Sequence, residues 1–183
     1  VVGDLFAGLD SDTTGTELSN SDKKWLTGFA RLAAKARSHV ERDSLTRTIT
    51  YVPDSEAPPR LILVLAQLLQ GLRSLQIPAE EQWSVLRHIA LGSMPVTRRR
   101  VFRPLADDSL VLTLGEIVAA SSLPQTSAAR ALEELEVHGL IGQEDSKPKR
   151  WRVSPWVANL LHIESPKSEK GAGIPVTLSP ALT

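Results

Sequence analysis

Two runs of side chains in this sequence have the chemistry to meet a polyanion. The first is Gln125-Thr126-Ser127 followed by Arg130. Gln and Arg can form paired hydrogen bonds to adenine and guanine edges, and Ser and Thr hydroxyls can hold phosphate oxygens. The second is Lys147, Lys149, Arg150 and Arg152, with Trp151 between two arginines. A cationic turn of this kind neutralises backbone phosphates and can reach into a minor groove. The chain as a whole carries 21 basic and 21 acidic side chains, so no global field favours such contacts and the attraction must be local. These eight residues are the expected contacts to double-stranded DNA. A solvated helix face and a hairpin charged for solubility would use the same residue types.

Other chemistry is hard to find. His39, His88, His138 and His162 are scattered, with no H-x-x-x-H pair to hold a metal and no Ser-His-Asp cue, and are expected to be structural or exposed. Cys is absent, which removes disulfides, thiolate nucleophiles and Cys-ligated zinc together and fits a reducing, cytoplasmic setting. No G-x-x-x-x-G-K-[ST] phosphate loop occurs, so no catalytic site and no cofactor are expected of this chain. The longest apolar run, Leu61 to Leu69, is broken by Gln67 and falls far short of the ~20 residues that span a bilayer, so no membrane partner is expected. Val1-Val2-Gly3 carries neither an initiator Met nor a secretory signal, which reads as a piece of a longer protein.

The elements that must position these residues follow from periodicity. Residues 9–22 are Asp, Ser, Thr, Gly and Asn with almost no apolar content, and 1–21 reads as a flexible linker. Trp25, Phe29, Leu32, Ala36 and Val40 share one helical face, with Asn20 or Ser21 as N-cap. Thr46 to Val52 is β-branched and aromatic and reads as a strand stopped by Pro53. Leu61, Leu65, Leu68, Leu72 and Leu75 predict a helix over 58–76, and Ile62, Val64 and Leu69 widen its buried stripe. Ala79-Glu80-Glu81 opens another helix that points Trp83, Leu86, Ile89 and Ala90 inward and stops near Gly92. This gives a helical unit over 22–93.

Pro95 then opens a helix with Val96, Val101, Phe102 and Leu105 apolar. Arg98, Arg99, Arg100 and Arg103 surround them, and either reinforce phosphate contacts or contact the preceding unit. Leu114 to Ser121 forms a short helix capped by Thr113, Ser122-Leu123-Pro124 a turn, and Gln125 to His138 a longer helix closed by Gly139. Ala128, Ala131, Leu132 and Leu135 face the core, which leaves Gln125, Thr126, Ser127 and Arg130 outward. Glu133, Glu134 and Glu136 fall where a groove-bound helix would leave the duplex. Ile141 to Glu144 and Arg150 to Val153 flank a polar turn and predict a hairpin, whose alternation turns Trp151 and Val153 to the core and Arg150 and Arg152 out. Pro155 to Ile163 forms the last helix, and 164–183 is a disordered tail by composition.

Residues 112–155, LTLGEIVAASSLPQTSAARALEELEVHGLIGQEDSKPKRWRVSP, resemble the winged helix-turn-helix domains of bacterial transcription regulators. The fold class is therefore mainly α: a helical bundle, then a winged helix-turn-helix with a small β-hairpin over 94–163. From Ser55, SEAPPRLILVLAQLLQGLRSLQIPAEEQWSVLRHIALGSMP is similar to the helical lid of MoxR-like AAA+ ATPases. That resemblance implies that Arg60 is the arginine reaching a nucleotide's γ-phosphate from the lid. The family's Gly-Arg-Asp between the helices is here Ser74-Leu75-Gln76, and ATP would be met only through a nucleotide-binding core upstream. The leading expectation is a non-catalytic DNA-binding region joined to an ATPase lid. The alternatives are a stand-alone regulator whose 22–93 bundle forms a homo-oligomer, and a winged-helix protein adaptor.

Overall fold

The computed structural model describes residues 17–53, 58–107 and 110–162. The helix α1 spans Asn20–Arg37, and its N-cap lies one or two residues before the expected Asn20 or Ser21. Ser19 is the N-cap: its hydroxyl accepts from the Asp22 amide, while the Asp22 carboxylate accepts from the Ser19 amide. Asn20 and Ser21 are thus helical and not linker; the rest of the linker up to residue 16 lies outside the described residues. Asp22 is buried and its other oxygen receives Arg73 at 2.8 Å, so the same carboxylate that caps α1 also binds α2.

A short hairpin follows. β1 (Glu41–Arg42) pairs antiparallel with β2 (Ile49–Tyr51), a shorter strand than the expected Thr46 to Val52, and β1 was not expected at all. Next come α2 (Pro59–Ser74) and α3 (Ala79–Gly92), both packed on α1. Trp25, Phe29 and Trp83 meet with ring centroids 6.3 to 6.5 Å apart and fasten α1 to α3. Leu65, Leu69, Leu86 and Ala90 are buried as expected, but Val64, Leu75 and Ile89 are exposed. Each of the two helices buries a narrower stripe than its apolar content suggests.

The second half comprises α4 (Val96–Ala106), β3 (Leu112–Thr113), α5 (Leu114–Ser121), α6 (Gln125–Val137), β4 (Ile141–Glu144), β5 (Arg150–Val153) and α7 (Pro155–His162). Val101, Phe102 and Leu105 of α4 are buried, whereas Val96 is exposed. Thr113 caps α5 in a reciprocal box with Glu116, Ser122 turns the chain at φ 54°, and Gly139 ends α6 at φ 67°. β3, unexpected from the sequence, joins the predicted hairpin to give the sheet order β3-β5-β4. Helix, turn, helix and a three-stranded sheet make a winged helix.

The two halves share one core. The cluster of buried apolar side chains runs continuously from Leu26 on α1 to Leu161 on α7. Gly28 of α1 lies under Leu160 of α7, and Arg31 sits over the Trp156 ring at 5.0 Å. Phe29, Phe102, Leu65 and Leu132, all fully buried, each contribute about 1.5–3 kcal/mol of burial. The tail after His162 lies outside the described residues.

Candidate nucleic-acid interface

The buried side of α6 explains its exposed one. Ala128, Ala131, Leu132 and Leu135 pack on α4 and α5, and the two alanines let the helices approach closely. Gln125, Thr126 and Arg130 are left exposed, and Ser127 is half-buried at the edge of the stripe. These four sequence-predicted residues therefore occupy the N-terminal half of one helix. The amides of Ser127 and Ala128 are already taken by the Pro124 carbonyl.

On the wing, β4 and β5 pair in the register Glu144 to Arg150 and Gly142 to Arg152. Lys147, Lys149, Arg150 and Arg152 are all exposed. Arg152 approaches Glu144 at 3.6 Å, an exposed pair of little strength. The turn is closed by the Ser146 hydroxyl donating to the Pro148 carbonyl at 2.9 Å. Trp151 is half-buried against the core, and its indole N–H is buried with no partner among the described residues.

The arginines of α4 divide. Arg99, Arg100 and Arg103 are exposed, but Arg98 is only 5% exposed and so cannot meet a phosphate. Its Nε donates to Glu134 at 2.7 Å, and its Nη1 donates to the carbonyls of Ala36, at 2.9 Å, and Ser38. Of the two roles open to Arg98, contact with the preceding unit is the one the packing selects. His138, the residue after α6, is buried beside it, with Nε2 3.0 Å from the same Ser38 carbonyl. Burial and the Arg98 charge lower its pKa. Of the other histidines, His39 and His88 are exposed.

Sequence reasoning missed the β1–β2 hairpin as part of this region. Arg42 of β1 reaches across to α6, where it pairs with Glu133 at 2.9 Å and Glu134 at 3.4 Å and donates to the Arg130 carbonyl at 3.3 Å. Two of the three α6 acids are thus partnered by Arg42, and Glu134 by Arg98 as well. The signal available was Asp43-Ser44-Leu45-Thr46, a side-chain-closed turn: the Asp43 carboxylate accepts from the amides of Leu45 and Thr46 at 2.8 and 2.7 Å. Those amides, Thr46 first, lower the Asp43 pKa below the ordinary carboxylate value.

Arg60 is exposed at the second residue of α2. No described contact joins it to α6 or the wing. Among the described residues no group of three or more His, Asp or Glu could hold a metal, and no helix is long and apolar enough to cross a membrane.

The model of the IclR helix-turn-helix domain matches residues 100–145, from within α4 through β4. A solved structure of a MarR family transcriptional regulator from Silicibacter pomeroyi DSS-3 is similar at 21% identity and a TM-score of 0.35, over 51% of this chain and 67% of that one. No curated protein matches.

Proposed function

We propose that this chain is a DNA-binding, transcription-regulator-like protein that lays α6 in the major groove and sets the β4–β5 turn on the adjoining backbone. The observation that carries this reading is the exposed stripe Gln125, Thr126 and Arg130 on the second helix of a matched helix-turn-helix, accompanied by an exposed cationic wing. Gln125 and Arg130 read base edges, Thr126 and Ser127 hold phosphates near the helix start, and Lys147, Lys149, Arg150 and Arg152 neutralise the backbone. A stand-alone regulator accounts for these features without a nucleotide. The exposed Val64, Val85 and Ile89 on α2 and α3 support a second copy as partner of the bundle. A nucleotide-sensing Arg60 is the second reading, favoured by its exposure at the start of α2.

The test is fluorescence anisotropy on mixed-sequence duplex. Four wing cations on phosphates predict about a hundred-fold loss of affinity between about 50 and 200 mM salt. On a selected site, Arg130→Ala costs about 1–3 kcal/mol at one base position, whereas Lys149→Ala weakens every sequence alike. Absence of binding at low salt removes the DNA reading and leaves the protein adaptor. Loss of ATP turnover on Arg60→Ala, in a protein that joins this chain to a nucleotide-binding core, would instead support the sensor role.

A further inference from the structure

The α6 stripe does not end at Arg130; beyond it the β1–β2 turn stands against the helix. Arg42 holds it there. A guanidinium has five N–H donors, and four of those on Arg42 are occupied: by Glu133, by Glu134, by the Arg130 carbonyl and, at 2.9 Å, by the carbonyl of Arg47 at the end of its own turn. The fifth, on Nε, is buried without a partner. Arg42 therefore has no exposed donor left for a ligand, and its effect is to fix the turn and partner Glu133 and Glu134 beneath it.

Between turn and helix lies a concavity of about 370 Å³, lined by Arg42, Arg47, Thr48, Arg130, Glu133 and Glu136 among others. The threonine hydroxyls are occupied: Thr46 donates to Asp43 at 3.0 Å, so Thr48 must be the donor in its 2.8 Å bond to Thr46. Arg47 remains, exposed, with no side-chain partner among the described residues. Its backbone lies at φ 60°, the left-handed region where Gly and Asn are the inexpensive choices. An arginine there keeps a charge at the turn against backbone preference.

Building on the DNA reading above, we infer that the β1–β2 turn is a second backbone-phosphate contact in addition to the wing, with Arg47 as the contacting cation and Arg42 as its positioning residue. The position fits. Helical rise is about 1.5 Å per residue, so Glu133 stands about 12 Å along α6 from Gln125, comparable to the roughly 12 Å width of a major groove. A helix that meets base edges from Gln125 to Arg130 brings its Glu133–Glu134 stretch to the groove wall, where phosphates line the rim. Unpaired acids at that point would repel the backbone; Arg42 partners Glu133 and Glu134 there, which leaves Glu136 as the one α6 acid on the concavity without an ion pair among the described residues.

The experiment uses the full chain, mixed-sequence duplexes and three variants. Arg47→Asn suits the left-handed backbone and removes the charge, Arg47→Lys keeps the charge, and Arg42→Met frees the turn. The expected result is that Arg47→Asn lowers affinity about three- to tenfold at low salt and reduces the slope of log K against log salt by about one, while Arg47→Lys retains the wild-type slope. Arg42→Met should lose at least as much as Arg47→Asn, because it also exposes the α6 acids. If the wild type binds duplex and Arg47→Asn has the same affinity and slope, the turn contact is overturned while the DNA reading stands. A variant that loses inorganic phosphate in a calorimetric titration but keeps duplex affinity overturns it equally, by assigning the concavity to a free anion. If the wild type does not bind duplex, both fall together.

Discussion

Burial fixes the protonation of His138. A carbonyl can only accept, so the Nε2 that faces the Ser38 oxygen at 3.0 Å carries the hydrogen. Burial first, and then the neighbouring Arg98 guanidinium, hold the pKa below the ordinary imidazole value of 6.5. The unfolded chain therefore takes up this proton more readily than the folded one. The stability contributed is fully present above the unfolded pKa and is lost as pH falls from there toward the lowered folded value. Thermal melts from about pH 8 to pH 5 should show the wild type losing Tm more steeply below pH 6.5 than His138→Gln, whose amide can still donate to the carbonyl. Parallel profiles would show that His138 is not the titrating group. At this scale the sequence was informative about outward side chains and silent about bridging ones. Helical spacing placed Gln125, Thr126 and Arg130 outward because the alternative positions are apolar. Nothing in the spacing of Arg98 or Arg42 tells which acid or carbonyl a distant segment will bring to them, since Arg42 meets Glu133 and Arg98 meets Ser38 only through packing.

The helices were readable because their ends carry local chemistry. Thr113-Leu114-Gly115-Glu116 is a capping box in sequence and in space: the Thr113 hydroxyl accepts from the Glu116 amide, and the Glu116 carboxylate accepts from the Thr113 amide at 2.7 Å. The Thr113 amide first, and then the Thr113 hydroxyl, which donates to the same carboxylate at 2.8 Å, lower the Glu116 pKa. Thr113→Ala should cost about 1 kcal/mol in a urea titration, because α5 loses its N-cap side chain and half of the box. Thr113→Ser, which keeps the hydroxyl, should recover most of it. An unchanged midpoint for Thr113→Ala would mean that tertiary packing alone orders the start of α5. β1 and β3 escaped notice for a converse reason. Each is two residues long, too short for any alternation, and each pairs with the edge of a longer strand. The exposed Val64, Ile89 and Val96 show the limit of apolar content as a guide, because periodicity names the centre of a buried stripe and not its width.

Across the whole molecule, the first and last helices close the core on each other. A Cβ built on Gly28 would come 2.7 Å from a methyl of Leu160. Gly28→Ala should be nearly neutral, since the methyl can swing aside and alanine favours the helix, whereas Gly28→Leu must displace α7 and should cost about 1–3 kcal/mol in chemical denaturation. Equal stabilities for the two variants would mean that α7 is not held against α1 in solution. The joint between the bundle and the winged helix lies nearby and follows a different rule. Arg98 and His138 grip the chain at Ala36 and Ser38 by carbonyl oxygens, a group every amino acid possesses. The gripping side is specified by two side chains, while the gripped side is specified by backbone shape alone. Substitution at position 38 forfeits only the Ser38 hydroxyl's bond to the Ala34 carbonyl as long as the chain path is kept, whereas positions 98 and 138 must keep a side chain that can donate there.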